Sequence, residues 1–154
     1  YGANGQKGVI DVPIFDEDLI LIAEDGGHYN DFRNRAIAYR IQGPSWVNNH
    51  AHVVRAKDPE DQNFIFYALE HKDIRKFING GTRGKLNKGE LQQVEIAFPN
   101  NPEERRYIGE RLQKIDEILT IQQDIVEKYK KIKLAMMDDL LSGKTRLSSL
   151  VESE

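Results

Sequence analysis

After Asn101-Pro102, no proline and no glycine other than Gly109 interrupts the chain until Gly143. That uninterrupted run constrains the fold more than any other feature. Asn101 can cap a helix, Pro102 fits its first turn, and Glu103 and Glu104 complement the positive helix end. A helix over 101–143 spans roughly 60 Å at about 1.5 Å per residue. The residues before it build a globule too small to cover such a length, so part of the helix must pack against something else.

Apolar spacing along the run says what kind of partner. Ile108, Leu112, Ile115, Leu119, Val126, Tyr129, Met136 and Leu140 follow a three-four repeat, as in a coiled coil. Gln122 and Lys133 fall in the same register, so the seam is imperfect. A second stripe through Ile118, Ile121, Ile125 and Ile132 widens the apolar face and implies more than one partner surface. The competing reading, one amphipathic helix folded back on its own domain, is disfavoured by the length.

The preceding region has a different texture, with ten of the 12 glycines and most of the aromatic residues. Glycines at 2, 5 and 8 mark tight turns. Leu19-Ile20-Leu21-Ile22-Ala23 reads as a buried strand, and Ala36–Ile41 as a strand stopped by Gly43-Pro44. Ser45-Trp46-Val47 and His52–Arg55 read as two further short strands, and Asp25–Asp31 as a polar loop. Asp58-Pro59 predicts a helix start, carried on by Phe64, Ile65, Tyr67, Ala68 and Leu69. A second short helix is expected over Lys72–Ile78, ended by Gly80-Gly81, and a strand over Val94–Phe98, ended by Pro99.

Composition narrows the function. With no cysteine, disulfides, zinc thiolate sites and cysteine catalysis are excluded. No apolar run approaches the roughly 18 residues of a membrane helix, and no signal peptide is visible, so a soluble cytoplasmic protein is expected. Because the chain opens on Tyr1 and not on methionine, it reads as a fragment or a processed form. The net charge of −3 argues at first against a nucleic-acid partner, but its distribution matters more. Residues 72–89 carry Lys72, Arg75, Lys76, Arg83, Lys85 and Lys88 against Asp73 alone, while Asp16, Glu17, Asp18, Glu24 and Asp25 concentrate the acids elsewhere.

Candidate chemistry is sparse. His50 and His52 on one strand could face the same way and share a metal, but no third ligand stands at a convincing spacing. The other reading is that Asn48, Asn49 and His50 make a hydrogen-bonded turn. A nuclease built from Asn49, His50 and the acids at 16–18 has an incomplete motif, and no serine stands on a glycine-flanked elbow. Gly80-Gly81-Thr82-Arg83-Gly84-Lys85 lacks phosphate-loop spacing and follows a helix instead of leading into one. It suits a nucleic-acid contact better: glycines admit phosphates to backbone N–H groups, Arg and Lys add charge, and Arg83 could be bidentate to guanine. A solvated charge run at a helix end is the alternative.

Three stretches together resemble half of a DNA specificity subunit of a type I restriction–modification system. They are Tyr1-Gly2-Ala3-Asn4-Gly5 with Val9-Ile10-Asp11 and Ile20–Gly26; Val47-Asn48-Asn49-His50-Ala51-His52-Val53-Val54; and Ile78–Arg83 through Leu86 to Ile96-Ala97-Phe98-Pro99 and the long helix. The resemblance covers nearly the whole chain. It implies an α+β fold: a mixed α/β target-recognition domain with a curved sheet over 1–100, lacking its own start, followed by one long coiled-coil-forming helix over 101–143 and a frayed tail over 144–154. In this family the helix pairs antiparallel with a second one and spaces two recognition domains on a split site. A complete subunit has two of each, and where many relatives carry Glu-Gln near the helix start this chain has Glu103-Glu104.

The resemblance further implies a non-catalytic chain that binds no cofactor or metal itself. Its partners would be double-stranded DNA, a methyltransferase subunit carrying S-adenosylmethionine, a restriction subunit, and a second copy through the helix. Thr82, Arg83, Lys85 and Lys88 are the leading DNA-facing residues, with Asn4, Lys7, His28, Asn30, Arg33 and Arg35 next. Helix pairing would fall to the seam from Ile108 to Leu140. The alternatives are the specificity part of a single-chain restriction–methyltransferase, a metal-dependent nuclease using His50 and His52, and a coiled-coil scaffold without DNA contact.

Overall fold

A computed structural model describes residues 1–81 and 83–147; Thr82 and most of the expected tail lie outside the described residues. Two contiguous units follow one another along the chain, Tyr1–Leu112 and Gln113 onward. In the first, strands β2 (Leu19–Ala23), β3 (Ala38–Ile41) and β5 (Ala51–Val54) form an antiparallel sheet in the order β3-β2-β5. Strands β1 (Phe15–Asp16) and β4 (Pro44–Ser45) pair separately.

Strand β2 is apolar throughout because both of its faces are buried. Ile20 and Ile22 point into a cluster with Tyr29, Ile37, Phe66, Leu69, Ile74 and Leu86. Leu19 and Leu21 point the other way, to Ile41, Phe15, Tyr39, Val47 and Val53. The strand period of two sends alternate residues to opposite faces, and here each face has a cover. Helix α1 (Gln62–Glu70) supplies Phe66 and Leu69 to the first cluster. Its approach is set by Asp58, whose side chain accepts the Glu60 backbone N–H at 3.0 Å ahead of a 3-10 turn that begins at Pro59.

Two expected elements are absent. Over Lys72–Ile78 only a single 3-10 turn forms, Arg75–Phe77. The Asp73 carboxylate accepts the Arg75 backbone N–H at 3.1 Å and pairs with its guanidinium at the head of that turn. Over Val94–Phe98 there is no strand. Val94 and Ile96 are half-buried against the core while Glu95 and Ala97 are exposed, so the alternation is real, but no ladder forms. The segment Ser45–Val47 is likewise strand only at Pro44–Ser45. A short helix the residue pattern did not suggest, α2 (Lys88–Leu91), follows the basic loop.

Helix α3 runs from Pro102 to Leu141. The Asn101 side chain accepts the Glu103 backbone N–H at 3.0 Å, the expected cap. Beyond Gly143, whose φ of +76° suits a glycine closing a helix, Thr145 N–H returns to the Asp139 carbonyl. Arg105 and Gly109 are the buried residues of α3. Ile108 and Leu140 of the expected seam are half-buried, whereas Leu112, Ile115, Leu119, Val126, Tyr129 and Met136 are exposed, as are Ile118, Ile121, Ile125 and Ile132 of the second stripe. Single exposed apolar residues are ordinary, but two continuous stripes of them are not. Among the described residues no helix is long and apolar enough to cross a membrane.

Candidate nucleic-acid interface

The register of the sheet collects four loops at one end. Ala23, which ends β2, lies opposite Ala51, which begins β5. Segments 24–28 and 48–50 therefore emerge side by side, and the loops 2–5 and 79–85 join them through hydrogen bonds. The basic loop closes on itself with Asn79 and Lys85 exchanging backbone bonds of 2.8 and 2.7 Å. It is then tied to the turn after β2 by Gly26 N–H to the Gly84 carbonyl (3.0 Å) and Leu86 N–H to the Glu24 carbonyl (2.7 Å). Asn4 donates to the Gly26 carbonyl at 3.0 Å.

Glycine is required at two of these joints. A Cβ on Gly84 would come within 2.7 Å of Ile78 and 3.3 Å of the Tyr29 ring, and one on Gly27 within 2.6 Å of the same ring. Buried Tyr29 is the platform beneath both loops, its hydroxyl donating to the Ala23 carbonyl at 2.6 Å. Burial, helped by the Asp25 and Glu24 charges, pushes its phenol pKa upward, so it stays protonated.

Of the expected DNA-facing residues, Asn4, Arg83 and Lys85 come together here. Each of the two cations meets an acid that the charge count had set apart. Arg83 Nη2 donates to Asp25 Oδ1 at 2.6 Å, and Lys85 Nζ lies 3.2 Å from Glu24 Oε1. The other Asp25 oxygen accepts from His50 Nδ1 at 2.9 Å. The His50 and Arg83 hydrogen bonds together hold the Asp25 carboxyl below the usual carboxylate range.

Among the described residues the remaining candidates make no hydrogen bond or ion pair to Asp25, Glu24, Arg83 or Lys85. His28 and Asn30 flank Tyr29, and burial followed by the Arg35 charge pushes the His28 pKa down. Arg33 and Arg75 both lie against the Phe32 ring, at 5.8 and 5.3 Å. Arg75 holds Asp73 down to about 2. Lys7 is exposed on the loop beside Gly2, and Lys88 opens α2, exposed. Thr82 is not described. The residue pattern did not mark Glu24 and Asp25 as members of the site, nor Arg75 as a neighbour of Arg33.

The two histidines of the metal hypothesis are separated by their partners. His50 lies in the turn before β5, with its backbone N–H on the Asn48 side chain at 3.0 Å and its ring on Asp25. His52 lies within β5, where its Nε2–H donates to the Leu86 carbonyl at 2.6 Å, so that nitrogen offers no lone pair to a metal. Among the described residues no group of three or more His, Asp or Glu side chains could hold a metal ion.

Comparison with known proteins adds four findings. The family model for the type I restriction modification DNA specificity domain matches residues 3–131. S.HindORF215P of Haemophilus influenzae, named as a type I restriction enzyme specificity subunit, is 34% identical over 99 residues, covering 64% of this chain and 25% of its own length. The type I restriction enzyme MjaVIII specificity subunit of Methanocaldococcus jannaschii is 31% identical over 94 residues, covering 58% of this chain and 22% of its own. These matches thus span about a quarter of the relatives' length. The crystal structure of a type I restriction–modification S subunit from M. genitalium superposes with a TM-score of 0.71 at 21% identity, over 90% of this chain and 37% of that one. That likeness concerns the fold: small sheets followed by a long helix.

Proposed function

The chain belongs to the type I restriction modification DNA specificity domain family, and we propose that it is the DNA-reading half of such a subunit. On this reading, residues 1–100 are one target-recognition domain and residues 101–143 one spacer and dimerisation helix. The chain supplies the address and no catalysis. A modification subunit carrying S-adenosylmethionine methylates an adenine flipped out of the duplex, and a restriction subunit joins the same assembly in the cytoplasm. The observation that carries the reading is the continuity of the family match, from Ala3 on the recognition loops to Lys131 on the helix. DNA-facing loops and the unpartnered helix are then parts of one device: one reads, the other sets the distance to a second reader.

The direct test is reconstitution. The chain is mixed with the adenine methyltransferase subunit of its system and labelled S-adenosylmethionine, and methylated sites are mapped on random DNA. Methylation at a palindromic split motif is expected, with two copies paired through α3. Methylation at an asymmetric split motif would assign the second helix to another recognition domain. Failure to form any complex would overturn the reading.

Residue-level support comes from the loop. Replacing Arg83 and Lys85 together by alanine is expected to weaken DNA binding by the assembled complex while leaving its melting temperature within a few degrees. Both side chains are at least half exposed (70% and 50%), and ion pairs of that kind contribute little to stability, about 0–1 kcal/mol each. Unchanged binding would reduce the loop to a solvated turn.

A further inference from the structure

The basic loop is less basic in three dimensions than in sequence. Arg83 is paired with Asp25, Lys85 with Glu24 and Arg75 with Asp73. Among the described residues Lys72, Lys76 and Lys88 make no ion pair, and Lys76 lies over the Phe77 ring. A phosphate approaching Arg83 would also approach the Asp25 carboxylate, a like charge, so the pair offers little net attraction. An uncharged base edge meets a smaller penalty, because its acceptors carry only partial negative charge.

The geometry of the pair fits a base edge. Arg83 spends one nitrogen on Asp25 and keeps the rest of its guanidinium fork in solvent, with its side chain 70% exposed. Its Nε passes over Gly26, where a Cβ would stand 3.5 Å away and where a φ of +63° favours glycine. Asp25 is itself fixed twice, by His50 Nδ1 at 2.9 Å and by the backbone bonds that join the 24–26 turn to 84–86. Such a chain of donors and acceptors sets the orientation of a flexible side chain before the ligand arrives, which lowers the entropic cost of recognition.

We propose that Arg83 reads a guanine in the major groove of the target, and that Asp25 and His50 are positioning residues that hold its guanidinium for that contact. This rests on the functional reading above and names the base that one of its residues recognises. Phosphate anchoring then falls to the unpaired cations, Lys88 among them, while Asp25 screens Arg83 from the backbone. Arg is suited to this task because two of its donors match guanine O6 and N7, a match that lysine's single ammonium makes far less specifically.

The test uses the reconstituted methyltransferase complex on a random-sequence duplex library, comparing the parent chain with Arg83→Lys, Asp25→Asn and Lys88→Ala, and checking melting temperatures alongside. Arg83→Lys is expected to lower the preference for one G·C position of the motif about tenfold to a hundredfold and to leave the others intact. Asp25→Asn should relax that same position while non-specific affinity holds or rises. Lys88→Ala should weaken all sequences alike and reduce the salt slope by about one. A motif retained at every position in Arg83→Lys overturns the assignment. So does an Asp25→Asn variant that binds every sequence more tightly with its motif unchanged, since Asp25 would then only repel. A parent complex that methylates no defined motif would instead defeat the functional reading itself, and the two failures are told apart by the parent alone.

Discussion

Aspartate at both Ile115 and Leu119 is expected to abolish helix pairing, halving the mass in solution or leaving the complex unformed. The two side chains are 54% and 53% exposed in the single chain and stand one turn apart on the seam face. Withdrawing an isoleucine or leucine from a packed seam forfeits roughly 1.5–3 kcal/mol. A carboxylate forced against an apolar partner costs several more, or stays out of the seam altogether. In a pair of identical helices both losses occur twice. A complex of micromolar affinity has only about 8 kcal/mol to lose, so the expected effect exceeds the whole stability of the interface. The melting of the first unit should not move, because neither side chain belongs to its core. Sedimentation or light scattering decides the matter. An undiminished mass would mean that pairing, if any, uses another face.

What could be read from residues alone, and what could not, divides along sequence distance. Strand β2 was legible because five apolar residues in a row need cover on both faces whatever their partners are. The starts of α3 and of the 3-10 turn that leads into α1 were legible because a capping side chain acts on a backbone N–H two residues away; α1 itself begins only at Gln62. The alternation of Val94 and Ile96 with Glu95 and Ala97 reports which side chains turn inward, although Phe98 stays 45% exposed, and burial alternation does not specify a neighbouring strand; none pairs there. At Arg75 the same kind of local bond, from Asp73, opens only a single 3-10 turn, so a capping bond by itself does not tell a turn from a helix.

The candidate site is legible in part on the same terms. That Arg83 and Lys85 occupy a glycine-bordered loop is local information. That they face Asp25 and Glu24 is not: Arg83 and Asp25 stand 58 positions apart. The two meet only because the 79–86 loop pairs with the turn that leaves β2. A count of charges over residues 72–89 thus overstates the field a phosphate would feel, and the loop's chemistry shifts from bulk attraction toward oriented donors.

Gly109 poses the sharpest question of sign. In an exposed helix, replacing glycine with alanine gains about 1 kcal/mol from the lower backbone entropy of the unfolded chain. Here the opposite is expected. Gly109 is buried, and a Cβ would stand 2.9 Å from both the Asn63 Cβ and the Phe64 backbone N, the first turn of α1. Those atoms cannot swing aside as a side-chain tip would. One helical turn earlier, Arg105 fastens the same contact. Its Nε and Nη2 donate to the two Asp61 oxygens at 2.6 and 3.0 Å, and its Nη1 donates to the Pro99 carbonyl at 2.7 Å. Its guanidinium also lies 4.3 Å over Phe98, which meets Phe64 edge-on at 5.7 Å. The Asp61 hydrogen bonds raise the already high Arg105 pKa, so this clamp is charged at any working pH. With the beginning of α3 held so closely, overpacking at Gly109 costs on the order of 1–3 kcal/mol, enough to cancel or outweigh the propensity gain. Gly109→Val, bulkier and a poorer helix former, should lower the melting temperature of the first unit by about 10 °C, at roughly 4–8 °C per kcal/mol. Gly109→Ala should lower it less. A Gly109→Ala variant that melts higher than the parent would show that α3 does not approach α1 this closely. Asp61→Ala then separates the two halves of the lock: it leaves the close approach at Gly109 untouched and strips Arg105 of its carboxylate, so it should destabilise even where Gly109→Ala does not.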